Sequence, residues 1–179
     1  MSKNLFDVNS QQTFFKKLCA KDNLLDNMGG GDCFFYSIIN NIENEELNTL
    51  SVNYLRLIVS IELRNLENNR EHELYYYIEQ NRNFTEYCKL VSMPGKWIDI
   101  NDFEIIVSLI AEKFNINIII LSKFKRDGKI ISNLYKCKNK PTNNRIILYY
   151  ESYNNHYQTI IKKGISKVID IDNFIQIQS

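Results

Sequence analysis

Apolar residues recur at helical spacing in the first two thirds of the chain and at strand spacing in the last third. The helical pattern predicts helices over about 10–19, 33–42, 49–65, 70–80, 83–91 and 103–114. The strand pattern predicts strands over about 116–121, 130–135, 145–150 and 157–161, with one or two edge strands between 168 and 177. Because the helices come first and the strands gather late, the pattern predicts an α+β layered domain.

Two predictions about the core follow from the same pattern. The helix over 49–65 carries an apolar stripe that we expect to be buried, marked by Leu50, Tyr54, Leu57, Ile58, Ile61 and Leu66. Trp97, the single tryptophan, precedes the helix over 103–114. We expect its indole ring to anchor that helix in the core.

The composition is that of one globular domain. With 179 residues, of which 44% are hydrophobic and 24% charged, the chain can bury a core without metal or disulfide support. We expect one domain over 1–179, with 1–9 as a loose leader. The net charge of +1 provides no field that recruits nucleic acid or an anionic membrane. With no signal peptide and no apolar run that could span a bilayer, we expect a cytoplasmic protein.

The four cysteines are Cys19, Cys33, Cys88 and Cys137. They show no C-x-x-C spacing and no neighbouring histidine cluster, so we expect no structural zinc site. Their scatter favours free thiols in a reducing compartment. Cys19 and Cys88 fit as fillers of predicted helices, and we interpret Cys137 as an inert surface thiol.

Cys33 has the most informative surroundings of the four. Three consecutive glycines, Gly29-Gly30-Gly31, and Asp32 lead directly to Cys33, after which an apolar helix begins. The positive end of that helix favours a thiolate. The alternative is a glycine turn before a core helix, with Cys33 as a small hydrophobic residue. On this stretch alone both interpretations remain open.

The two histidines narrow the search for a base that could activate a thiol. His72 lies between two glutamates on a polar helix, which is typical of a solvated face. His156 lies where a polar loop enters a predicted strand, so a rigid sheet can hold its imidazole at an opening. An early cysteine with a histidine far downstream is the layout of papain-like cysteine hydrolases.

At these residues the chain resembles the ovarian-tumour (OTU) family of deubiquitinating cysteine proteases. The segment Gly31-Asp32-Cys33-Phe34-Phe35-Tyr36-Ser37-Ile38 is similar to the family's nucleophile motif, and Asn155-His156-Tyr157 to its histidine motif. Gly95-Lys96-Trp97, with the helix that follows, is similar to the family's middle block. A small stand-alone domain of this kind is typical of a viral or bacterial member, which would act in the host cytosol.

The resemblance implies a papain-like fold with a mostly antiparallel central sheet and the nucleophile at a helix N-terminus. It implies hydrolysis of isopeptide bonds at the C-terminus of ubiquitin, or of a ubiquitin-like modifier, through a thioester. Cys33 would be the nucleophile and His156 the base, and the N–H groups of Cys33 and of the Gly30–Gly31 turn would form the oxyanion hole. The partner would be ubiquitin or polyubiquitin, bound by helices between 49 and 91. No metal, cofactor, nucleic acid or membrane is implied, and we expect a monomer.

Two positions depart from the family pattern. Gly30 stands where the family usually has aspartate, so we hypothesise that the oxyanion hole forms only when ubiquitin binds. Gln158 stands two residues after the histidine, where the family has Asp or Asn. Because strand residues two apart share a face, we expect Gln158 to orient His156. Asn154, Asn155 or the upstream Asp26 could replace it in that role.

Two other functions remain open at this point. One is an OTU-fold module that binds ubiquitin without cleaving it. The other is a papain-like hydrolase that acts on a different substrate. The presence of both Cys33 and His156 favours the enzyme over the module.

Overall fold

The computed structural model describes residues 8–41, 44–72, 74–75, 83–98 and 103–161. Its helices are α1 (Val8–Leu18), α2 (Cys33–Ile39), α3 (Glu45–Asn48), α4 (Val52–Glu67), α5 (Phe84–Ser92) and α6 (Phe103–Phe114). Its strands are β1 (Leu24–Leu25), β2 (Asn117–Lys123), β3 (Ile130–Tyr135), β4 (Arg145–Glu151) and β5 (His156–Ile160). Most of the predicted helix over 70–80, and the predicted edge strands after 168, lie outside the described residues.

The five described strands form one sheet in the order β1-β5-β4-β2-β3. β2 runs parallel to β4, and every other neighbouring pair is antiparallel. The prediction of an α+β fold with a mostly antiparallel sheet is therefore confirmed. β1 was not predicted, because two leucines within a polar link are too short to show a strand pattern.

Helices cover both faces of the sheet. Successive residues of β2 point to opposite faces, so Ile118 and Ile120 join one core while Ile119 and Leu121 join the other. The larger core is formed with α2, α4, α5 and α6, and the smaller with α1. A central strand that is buried on both faces explains why the sequence of β2 is almost continuously apolar.

The buried face of α4 differs from the predicted stripe. The helix begins at Val52 because the side chain of Ser51 accepts a hydrogen bond from the N–H of Tyr54. Its buried residues are Val52, Leu55, Arg56, Val59, Ser60, Leu63 and Leu66. Tyr54, Leu57 and Ile61 are exposed, so for these residues the predicted stripe was wrong. Both faces of α4 carry apolar residues, and the packing partners decide which face is buried.

Two contacts fix the helix of the nucleophile motif against the sheet. The Thr159 hydroxyl donates to the carbonyl of Ser37 at 2.7 Å, and both side chains are buried. The ring of Phe34 meets those of Phe103 and Tyr157 edge-on, at centroid distances of 4.4 and 5.4 Å. These contacts hold the start of α2 beside the start of β5.

None of the described helices is both long enough and apolar enough to cross a membrane. Cys137 is buried, and its thiol donates to Oδ1 of Asn115 at 3.3 Å, so its prediction as a surface thiol was wrong.

Candidate active site

The loop that leads to Cys33 needs glycine for two separate reasons. Gly29 and Gly30 have φ angles of 71° and 69°, in the left-handed region that side chains disfavour. At Gly31 a Cβ atom would lie 2.3 Å from the carbonyl oxygen of Gly95, too close for any side chain. Gly30–Asp32 form one 3₁₀ turn, and α2 begins immediately after it at Cys33.

Asn27 connects this glycine loop to the strand that carries the histidine. Its side-chain N–H group donates to the carbonyl of Tyr157 at 2.8 Å and to that of Cys33 at 3.3 Å. Its side-chain oxygen accepts from the N–H of Gly29 at 3.0 Å. One amide thus ties together the loop, the nucleophile and β5.

Cys33 is almost fully buried, with 1% of its surface exposed. Burial raises the pKa of its thiol, and the negative charge of Asp32 adds to the rise. The backbone N–H groups of Tyr157 and Phe34 act in the opposite direction on this pKa and are outweighed. Desolvation therefore opposes the predicted preference for a thiolate at the helix end.

His156 lies at the first position of β5, and Asp26 orients its ring. Nε2 of His156 is 2.7 Å from Oδ1 of Asp26. Hydrogen bonds lower the pKa of Asp26, the first from His156 and the next from the N–H of Asn27. The ionised carboxylate can only accept, so Nε2 must donate and the lone pair of the neutral ring is on Nδ1. Nδ1 faces the glycine loop, 3.9 Å from where a Cβ of Gly29 would lie.

The residue that hydrogen-bonds to the ring of His156 is therefore Asp26 and not Gln158. Asp26 was one of the substitutes considered from the sequence. The side chain of Gln158 hydrogen-bonds to Asp26 and helps to lower the pKa of that carboxyl. Asn155, which has a φ of 51°, accepts a hydrogen bond from the hydroxyl of Tyr150 at 2.7 Å. Asn154 donates to Glu151 at 3.1 Å. Gln158 shares a face with His156 as expected, but it reaches the ring through the carboxylate.

Two of the predicted oxyanion donors, the N–H groups of Cys33 and Gly31, are not directed to a common point. The N–H of Cys33 donates to the carbonyl of Gly30 within the 3₁₀ turn. That carbonyl belongs to the Gly30–Gly31 peptide, so its own N–H, on Gly31, points away from Cys33. In this conformation these two N–H groups do not converge, and the hole that they would form is closed.

A cavity of about 280 Å³ opens beside Cys33. It is lined by Gly31, Cys33, Phe34, Phe35, Trp97, Ile98, Phe103, Asn155 and Tyr157. Trp97 is 51% exposed at this cavity, so the prediction that it anchors a helix in the core was wrong. Its ring forms a wall of the opening to the nucleophile.

The remaining candidates from the sequence lie elsewhere. Nε2 of His72 is 3.3 Å from a carboxylate oxygen of Glu112, and Nδ1 accepts from the N–H of Leu74. The contacts of His72 are therefore with residues of the helical layer and not with Cys33. Among the described residues, no group of three or more His, Cys, Asp or Glu side chains could hold a metal ion.

Sequence reasoning missed two residues that shape the site, Asn27 and Arg56. Arg56 lies fully buried in α4 and donates to the carbonyls of Gly31, Lys96 and Val91 and to the carboxylate of Asp32. An arginine in an amphipathic helix usually lies at a solvated position, and an asparagine in a polar link usually lies in a turn. Neither pattern distinguishes them from surface residues.

Comparison with known proteins gives a family and a fold. The profile of the OTU-like cysteine protease family matches residues 28–157, which include Cys33 and His156. The fold is similar to the OTU domain of OTUD1, with a TM-score of 0.61 and 12% identity, over 88% of this chain and 95% of that one. No curated protein matches by sequence.

Two further solved structures share the fold. One is an OTU deubiquitinase from Wolbachia pipientis wMel bound to ubiquitin, with a TM-score of 0.56, 13% identity, and coverage of 78% of this chain and 96% of that one. The other is the viral OTU domain protease from Taggert virus, with a TM-score of 0.55, 13% identity, and coverage of 76% and 77%. With the family match over most of the chain, these observations identify the protein as a member of the OTU-like cysteine protease family.

Proposed function

We propose that this protein is a deubiquitinase that hydrolyses isopeptide bonds at the C-terminus of ubiquitin through a thioester. The observation that carries the proposal is the 2.7 Å bond between His156 and Asp26, at the start of β5. It lies next to Tyr157, whose backbone N–H group acts on the sulfur of Cys33. Family membership and the ubiquitin-bound relative from Wolbachia support ubiquitin as the substrate.

The first chemical step is attack by the Cys33 sulfur on the carbonyl carbon of the scissile bond. Nδ1 of His156 takes the thiol proton as the sulfur attacks. The same proton then passes to the leaving lysine amine as the C–N bond breaks, which leaves a thioester. Water attacks the thioester, His156 removes its proton, and the Cys33 thiol is released with the ubiquitin carboxylate.

Asp26 contributes by orientation and charge. It fixes the ring so that Nδ1 carries the lone pair, and its negative charge stabilises the imidazolium that forms during attack. With 69% of its side chain exposed, Asp26 is well screened by water, and Gln158 helps to hold it in place. The required chemistry is supplied by side chains and backbone N–H groups of this chain.

A ubiquitin that carries a C-terminal electrophile tests the proposal directly. We expect the wild-type protein to gain the mass of one ubiquitin, and Cys33→Ala to gain none. Cys19→Ala is the matched control, because Cys19 is a free, partly buried cysteine in the other core, and it should form the full adduct.

The remaining outcomes distinguish the alternatives. Ubiquitin binding without an adduct would make the protein a binding module. Absence of both binding and adduct would point to a papain-like hydrolase of another substrate. If the adduct forms, a panel of differently linked di-ubiquitins will define which linkage is cleaved.

A further inference from the structure

Arg56 is a fully buried cation in the middle of α4, with 0% of its surface exposed. Its guanidinium carbon lies 4.3 Å from the centre of the Phe35 ring, which covers one face of the group. Burial lowers the pKa of Arg56, and the charge of Asp32 opposes that shift. A buried ion pair seldom stabilises a fold more than apolar residues of the same size would. The presence of Arg56 at this position therefore needs an explanation other than stability.

The hydrogen bonds of Arg56 join the two loops that flank the cavity. On the glycine loop, Nη2 donates to the carbonyl of Gly31 at 2.8 Å and Nε to Oδ1 of Asp32 at 2.5 Å. On the opposite loop, Nη2 donates to the carbonyl of Lys96 at 2.7 Å. Asp32 completes the link, because its Oδ2 accepts the N–H of Gly95 at 2.8 Å.

Arg56 fixes the Gly31–Asp32 peptide of the glycine loop. It makes no hydrogen bond to the preceding Gly30–Gly31 peptide. Because the carbonyl of Gly31 is held by Arg56, the Gly31–Asp32 peptide cannot rotate without breaking that bond. The preceding Gly30–Gly31 peptide is held at its carbonyl by the N–H of Cys33. The space around Gly30 is open, with nothing within 4 Å of a Cβ position, and glycine on both sides of this peptide permits rotation.

Rotation of this one peptide would open the oxyanion hole. The carbonyl of Gly30 would leave the N–H of Cys33, and the N–H of Gly31 would turn toward the same side. Two N–H donors would then converge where negative charge develops in the transition state. The rest of the loop must stay in place meanwhile, because Cys33 must keep its position relative to His156.

We propose that Arg56 is a positioning residue for catalysis, which confines the opening of the oxyanion hole to the Gly30–Gly31 peptide. This rests on the proposed function for its substrate, but the state of the loop can be measured without ubiquitin. In the closed loop the Cys33 N–H is hydrogen-bonded and protected from exchange with solvent. Without the restraint from Arg56, the whole loop moves, and this protection is lost.

The test uses Arg56→Lys, which keeps the positive charge but lacks the forked donors that reach both loops. With a fluorogenic ubiquitin C-terminal amide, we expect kcat to fall at least tenfold while KM changes less than twofold. Arg126→Lys, in the exposed turn before β3, is the matched control and should match the wild type.

Amide hydrogen exchange in protein labelled with ¹⁵N-cysteine gives the readout that does not depend on substrate. In Arg56→Lys we expect the Cys33 amide to exchange at least tenfold faster. The amides of Cys19 and Cys137, which bond to Phe15 and Asn117, should not change. A uniform increase at all three amides would mean that Arg56 only stabilises the fold, and an unchanged Cys33 amide or kcat would also overturn the proposal.

Two further outcomes of these experiments are possible. If the wild type does not act on ubiquitin, the proposed function fails, and the exchange of the Cys33 amide still decides the role of Arg56. If Arg56→Lys does not fold, Asp32→Asn replaces it, since it weakens the charge-assisted bond to Nε and keeps the shape of the side chain. It should raise Cys33 exchange about threefold and leave the amides of Cys19 and Cys137 unchanged, and any other pattern at these three amides would count against the role of Arg56.

Discussion

At the scale of single residues, the site contains a chain of hydrogen bonds from Gln158 to Asp26 to His156. Asp26 hydrogen-bonds to the imidazole, and the side chain of Gln158 hydrogen-bonds to Asp26. A general base contributes roughly 10²–10⁴-fold to such a reaction, and a residue that only orients the base contributes less. The exposure of Asp26 to water reduces its share further.

We therefore expect Asp26→Ala to lower kcat roughly tenfold and Gln158→Ala roughly threefold, in steady-state assays with a ubiquitin C-terminal amide. Because Gln158 acts through Asp26, the double variant should be no slower than Asp26→Ala alone. Effects that multiply would show that Gln158 contacts the ring independently of Asp26. Asn154→Ala, at a neighbouring exposed position of the same loop, serves as the control and should leave kcat unchanged.

The burial of the Cys33 thiol has its own measurable consequence. Since burial raises the pKa of the thiol, the thiolate fraction at neutral pH is lower than for an ordinary cysteine. We expect the rate of alkylation by iodoacetamide to rise about tenfold per pH unit from pH 7 to beyond pH 8.5. Mass spectrometry of the Cys33 peptide measures this rate. A rate that is already at its plateau near pH 6 would indicate a preformed thiolate–imidazolium pair instead.

At the scale of elements, the sequence correctly predicted the helices and strands whose signal comes from residues close together in the chain. β3 and α5 were confirmed almost to the residue, since an Asp-Gly turn precedes the strand and Asn83 caps the helix. The wrong face of α4 was chosen because both faces carry apolar residues. The face that is buried contains Arg56, which hydrophobicity places outside. What that face packs against depends on loops distant in the sequence, and no local pattern contains that information.

The site follows the same division between local and distant information. Cys33 and His156 could be identified because each lies in a motif with its own neighbours. Asp26 was only one of several substitutes, since its role depends on the antiparallel pairing of β1 with β5. That pairing brings the link before the glycine loop beside the histidine. Asn27 and Arg56 gave no signal because most of their partners are backbone atoms, which are the same for every residue.

At the scale of the whole molecule, two cores share one sheet but only one of them reaches the site. Phe35 lies in the larger core, beneath the guanidinium of Arg56, and Phe15 lies in the smaller core with α1. Each of these phenylalanines is 1% exposed. The same substitution in the two cores therefore separates a loss of stability from a loss of site geometry.

We expect Phe15→Leu to lower the free energy of unfolding by about 1–2 kcal/mol and Phe35→Leu to lower it by more, measured by urea denaturation. Phe35→Leu also removes the ring that supports Arg56, a cation–π contact worth about 1–2 kcal/mol when desolvated. Its kcat should fall several-fold at a temperature where both variants are fully folded, while Phe15→Leu keeps the wild-type kcat. Equal losses of kcat in both would mean that the two cores act on the site alike. A loss confined to Phe35→Leu would link the packing of the larger core, through Arg56, to the conformation of the glycine loop.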